Sequence, residues 1–143
     1  MPKDDSLDLS QGSVLHIKSF STRGHPPKNK FCLILGRENP SGDVLAFLIS
    51  SQAQYAQQPA YRNEIVTIAR GAVHFLSQES FIQCFTLERL DSEKLADGFD
   101  SGLVEHKGKL SKKYLYRVKE TVEKSKLLTQ HEIEVVMDSL DPS

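Results

Sequence analysis

The chain has no tryptophan, only two cysteines, no excess of either charge and no apolar run of 18 residues or more. Each shortage closes a class of function. Without such a run no membrane-spanning helix is expected. The start, Met1-Pro-Lys-Asp-Asp-Ser-Leu-Asp, is acidic and polar rather than a charged-then-apolar leader, so the expected location is cytoplasmic. Cys32 and Cys84 lie in separate apolar runs with no second cysteine at metal-ligand spacing, and both read as small buried hydrophobes. His16, His25, His74, His106 and His131 are scattered and form no His-x-x-x-His pair, so neither a metal nor a cofactor is expected. Lys and Arg number 18 against 19 for Asp and Glu, a net charge of -1. That balance excludes a general DNA-coating protein and leaves room for a local basic face, because affinity for a phosphate backbone depends on where the cations sit.

What is present fits one domain. At 143 residues, 38% of them hydrophobic, the chain can bury a core of its own. Residues 1–11 read as a flexible acidic tail. Gly12 opens a strand over 13–20, and the loop at 21–29 follows from Gly24 and the ladder-breaking Pro26-Pro27. Two apolar strands then flank a turn at Asn39-Pro40-Ser41-Gly42-Asp43; their near-continuous hydrophobicity predicts burial on both faces or in a small barrel. The glutamine-rich stretch 53–63 reads as surface loop, and 64–69 and 79–86 as strands. Asp91 is a predicted N-cap for a short helix through Leu95 and Ala96. A last strand at 103–106 and a turn at Gly108 precede a helix capped by Ser111, with Leu115, Val118 and Val122 as its apolar face. Thr129-Gln-His-Glu132 has the form of a capping box opening a final helix through Met137. Strands first and helices last predict an α+β domain built on a compact barrel.

The segment 30–52 carries the chemistry. A cation opens its first strand, Lys30-Phe-Cys-Leu-Ile-Leu-Gly36, and Ser50-Ser51-Gln52 close its second. An antiparallel hairpin lays those two ends side by side, so charge and hydrogen-bonding groups gather at one rim of a sheet, where they suit a phosphate. Lys28 adds attraction beside them. Gln52 and Gln83 are of a type that reads base edges in single-stranded RNA.

These elements, in this order, resemble the PemK/MazF family of toxin endoribonucleases from about Gly12 to Leu128, leaving 129–143 as a helical extension. Gly12-Ser-Val-Leu-His-Ile resembles the family's opening Gly-Asp/Glu-Ile/Val strand, and Lys30-Phe-Cys-Leu-Ile-Leu its Arg-Pro-x-Val-Val-Leu strand. Ile49-Ser-Ser-Gln52 is similar to Ile/Val-Thr-Ser/Ala-Gln, and Ser80-Phe-Ile-Gln-Cys with Leu90-Asp91 to Ser-x-Val-x-Cys/Leu followed by Ile-Asp. Gly108-Lys-Leu-Ser resembles Gly-x-Leu-Ser/Pro before a helix.

The resemblance implies a small SH3-like β-barrel with C-terminal helices, a two-fold homodimer and a cognate antitoxin as partner. The implied activity is metal-independent cleavage of single-stranded RNA by the ribose 2′-OH. By position it implies catalytic roles for Lys30, where the family has arginine, for Ser50, where it has threonine, and for His25, where some members place a loop histidine. Lys28, Ser51, Gln52 and Gln83 become RNA-binding residues. Members with that histidine also carry arginine and aspartate on the strand that here reads Gln83-Cys84-Phe85. The second expectation is therefore a toxin-like barrel without catalysis, binding RNA or a partner peptide. A basic stretch (Lys107, Lys109, Lys112, Lys113, Arg117, Lys119, Lys124, Lys126) reads as the solvated face of an amphipathic helix or as a docking face for RNA or an acidic segment. Of Tyr114 and Tyr116 within it, one is expected in the core.

Overall fold

The computed structural model describes residues 7–20, 27–39 and 41–141. Among these residues seven strands and five helices follow one another as β1 (Ser13–Phe20), β2 (Lys28–Arg37), β3 (Val44–Ser50), α1 (Gln54–Gln57), α2 (Pro59–Arg62), β4 (Ile65–Ile68), β5 (Ser80–Gln83), β6 (Glu88–Leu90), α3 (Ser92–Ser101), β7 (Val104–Lys109), α4 (Lys112–Glu123) and α5 (Gln130–Ser139). The protein is α+β, with all pairings antiparallel in one sheet ordered β4-β5-β3-β2-β1-β7. Among the described residues no ladder joins β4 to β7, so the hydrogen-bonded path is open.

β2 and β3 form the centre, and their continuous apolar runs are buried on both faces as the sequence predicts. Leu33, Leu35, Leu45, Phe47 and Ile49 point to the main core, which α4 covers with Leu115, Val118 and Val122 and α5 with Val136; Leu140 follows just after α5. Cys32, Ile34, Val44 and Ala46 point the other way, to a second core under Leu95 of α3 and Val104 of β7. This is the period-2 alternation of a strand carried by residues that are apolar at every position. The two thiols sit at 0% exposure. Burial pushes the Cys32 thiol up to about 12 and the Cys84 thiol up as well, since a thiolate there has lost its water. Neither is expected to react with a disulfide reagent in the native protein, and both should react once urea unfolds it; fast native labelling would overturn their burial.

Several elements differ from the sequence reading. The stretch 53–63 holds two single-turn helices, α1 and α2, the second opened by Pro59. The strand expected over 79–86 stops at Gln83. The chain turns a corner and returns as β6, so that three steps along β3, from Ile49 to Ala46, face six steps from Ile82 to Glu88. Asp91 caps α3 by accepting from the backbone N–H groups of Glu93 and Lys94, but the helix runs to Ser101 and ends on Gly102 at φ 86. Gly108 makes no turn; it lies inside β7 opposite Val14. Thr129 and Glu132 form both halves of their capping box, whereas Ser111 occupies the N-cap position of α4 without a side-chain capping bond. At the other end Leu7 and Leu9 pack on the second core, and Gln11 exchanges two hydrogen bonds with the backbone of Asp141. Hydrogen bonds from the Ser10 hydroxyl and amide, with Lys109 nearby, hold the Asp8 carboxyl down to about 2.

Candidate functional site

The β2–β3 register brings the rim together. Phe31 pairs with Ile49, so the next step along the ladder sets Lys30 beside Ser50. Directly opposed residues share a face. Beyond them a cleft of about 320 Å³ is lined by Lys28, Lys30, Ser50, Ser51 and Gln52, five of the seven residues singled out from the sequence. Gln83 does not line it; it sits half-buried on β5 opposite Ile65. His25 lies outside the described residues. Phe20 and Lys28, which precede and follow it in the chain, pair with each other, and Lys28 lines the cleft.

Local chemistry sets each group. Lys28 and Lys30 form no ion pair with a carboxylate among the described residues, so two ammonium charges face the cleft uncompensated. The Ser50 hydroxyl accepts from the Gln52 backbone N–H at 3.0 Å, the local turn that a serine at a strand end favours. Its own proton remains available to donate. Asn29 also lines the cleft, and its carbonyl accepts from the backbone N–H of Ser19 at 3.1 Å. That bond holds a bulge between Ile17 and Phe20 where Ser19 adopts φ 55, a left-handed conformation rare for serine.

The far wall was not legible in the sequence. Phe75, Leu76, Ser77 and Gln78, from the connection between β4 and β5, and Ser80 at the start of β5 complete it. Gly108 explains the position of Phe75. A Cβ built on Gly108 would stand 2.6 Å from the Phe75 ring, and the backbone there has φ 156. Gly108→Ala is expected to cost about 1–3 kcal/mol through overpacking and to displace Phe75 from the cleft wall. Urea unfolding measures the first effect, and altered ring shifts of Phe75 in NMR spectra the second.

His16 also went unnoticed among scattered histidines. It pairs with Phe31 across β1–β2, with ring centroids 4.7 Å apart, and Phe31 lines the cleft. Its Nδ1 lies 3.8 Å from Glu105 Oε1, and Glu105 also lies 4.0 Å from Lys18. Among the described residues there is no group of three or more side chains placed to hold a metal ion, and no helix is long and apolar enough to cross a membrane.

No protein-family model matches the chain, and no curated protein matches it. The functional reading therefore rests on the cleft itself. Its chemistry would suit an anion: two lysine ammonium groups, four serine hydroxyls and three side-chain amides surround a space open to solvent. Lysine ammonium groups act there as point charges without the fixed fork of arginine.

Proposed function

We propose that the protein is a PemK/MazF-like toxin of a type II toxin–antitoxin system, which engages single-stranded RNA at the β2–β3 rim and cleaves it without a metal. The observation that supports this reading is the convergence of Lys28, Lys30, Ser50, Ser51 and Gln52 on one cleft. In the reaction the ribose 2′-oxygen attacks the adjacent phosphorus, its proton passes to a base, and the departing 5′-oxygen takes up a proton. The products are a 2′,3′-cyclic phosphate and a 5′-hydroxyl. The Lys30 ammonium would balance the charge that builds on the phosphorane oxygens, and the Ser50 O–H would donate to one of them. His25 would take the proton-transfer role that the family resemblance gives it, one an imidazole can serve as acid or as base. Lys28 and Ser51 would hold a neighbouring phosphate, and Gln52 a base edge, with Gln83 further along the strand. The same reading carries an SH3-like curl of the sheet, a homodimer, a cognate antitoxin and a cytoplasmic location.

One observation favours a second reading, a toxin-like domain that binds RNA without cutting it. Among the described residues no carboxylate or imidazole lines the cleft. Incubation with a long single-stranded RNA in EDTA separates the two. Cleavage by the wild type that falls about 100-fold or more in Lys30→Ala and in Ser50→Ala supports the enzyme. Salt-sensitive binding without cleavage, weakened by Lys28→Ala and Lys30→Ala, supports the binding domain. An absence of both cleavage and binding removes RNA from the cleft altogether.

A further inference from the structure

A second concavity, of about 880 Å³, lies away from the rim between α2, β4 and α4. One wall is a sheet edge. β4 ends the strand order and, among the described residues, pairs only with β5. The Cys84 N–H donates to the Glu64 carbonyl, which fixes 64 and 84 as a hydrogen-bonded pair of the antiparallel ladder. Pairs of that kind recur at every second position, so Val66 with Ile82 and Ile68 with Ser80 point their backbone groups at β5. The N–H and C=O groups of Ile65 and Thr67 must then point away from β5, toward the concavity that both residues line. These are two donor–acceptor sets of an unpaired strand.

The other walls are cationic. Arg62 comes from α2, Arg117 from α4, and Lys124 and Lys126 from the turn after it; none is in an ion pair among the described residues. Two carboxylates share the lining, Glu64 and Glu120. Glu64 is engaged from within, accepting from the Ser125 hydroxyl and the Lys126 N–H. Leu127, 44% exposed, adds an apolar contact.

We propose that this groove docks an extended, acidic segment of a partner protein, which adds as a strand beside β4. Backbone pairing at Ile65 and Thr67 gives the segment its register, and carboxylates at alternate positions meet Arg62, Arg117, Lys124 and Lys126. RNA would satisfy the cations, but it has no strand backbone to pair with the outward groups of Ile65 and Thr67. The proposal is independent of the RNA reading, since no residue of the groove lines the rim cleft.

The probe is an end-blocked octapeptide alternating glutamate and valine, with a lysine–valine counterpart as control. The acidic peptide should bind in a salt-sensitive manner and the basic one should not. Binding should weaken at least tenfold in the Arg117→Glu/Lys124→Glu protein. Thr67→Pro removes an outward N–H without touching the β5 ladder, and should also weaken binding at least tenfold. Should that variant fold poorly, hydrogen exchange on the wild type gives the same answer, because the Ile65 and Thr67 amides should slow when peptide is added. Lys30→Ala should bind the peptide like the wild type. No binding, binding that leaves those two amides unprotected, or displacement of the peptide by an oligouridylate would overturn the proposal. With no binding the cations merely guard a free edge, and with displacement the groove is an RNA surface.

Discussion

Phe47→Ala is expected to destabilise the protein by about 3–5 kcal/mol, the range for emptying a well-packed aromatic site. Phe47 is fully buried at the centre of β3, opposite Leu33 of β2, in the core that α4 and α5 cover. Two terms add: the transfer free energy of the lost ring and the cavity it leaves. The cavity term should be near its upper range because β3 cannot relax inward. It is held by β2 along one side and by β5 and β6 along the other. At about 2–4 °C per kcal/mol for a chain of this size, the melting temperature should fall by roughly 6–20 °C. Urea unfolding would show a lower midpoint with an unchanged slope. A loss under 1 kcal/mol would mean that the main core is not organised around β3.

The hairpin was the part of this fold most legible in the sequence, and the reason is local. Continuous apolar runs on either side of an Asn-Pro-Ser-Gly-Asp turn leave one pairing that buries both, and that pairing alone brings Lys30 to Ser50. Asp91, Thr129 and Glu132 were legible for the same reason, because a cap acts within three residues. The β5–β6 corner was hidden since 79–86 alternates well enough for one strand; only its pairing with both ends of β3 shows the break. Gly108 reads as a turn residue in isolation, yet its missing side chain serves Phe75, more than thirty residues earlier in the chain. The far wall of the cleft and the outward edge of β4 depend on pairings between distant segments, and no local pattern records them. Of Tyr114 and Tyr116, expected to divide between core and solvent, Tyr114 is buried and Tyr116 is half exposed.

Glu64→Ala should cost about 2–4 kcal/mol, a large penalty for a residue that sequence reading passes over as the polar start of a strand. Glu64 is only 4% exposed, a burial that an unpaired carboxylate would not tolerate. Its two oxygens take the Ser125 hydroxyl and the Lys126 N–H, the latter at 2.9 Å. The Ser125 oxygen in turn accepts from the backbone N–H groups of Leu127 at 3.2 Å and Leu128 at 3.1 Å. One carboxylate therefore ties β4 to the whole turn between α4 and α5, and hydrogen bonds to a charged acceptor contribute about 1.5–3 kcal/mol each. Truncation removes both and leaves the Lys126 amide and the Ser125 hydroxyl without their partner. Glu64→Gln keeps only part of this geometry: its amide oxygen can still accept from Lys126, but its NH2 faces a Ser125 oxygen whose two lone pairs already take the Leu127 and Leu128 N–H groups. With one of the two bonds kept, that variant should lose about 1–2 kcal/mol, less than the alanine variant. Urea unfolding ranks the two proteins, and hydrogen exchange locates the damage, with the Lys126, Leu127 and Leu128 amides speeding up together in Glu64→Ala. Equal losses in both variants would show that the charge itself, rather than the accepting geometry, fastens the turn. Because Lys126 and Leu127 also line the groove beside β4, the alanine variant should bind the acidic peptide more weakly than its loss of stability alone explains, whereas the glutamine variant should bind it nearly as the wild type does.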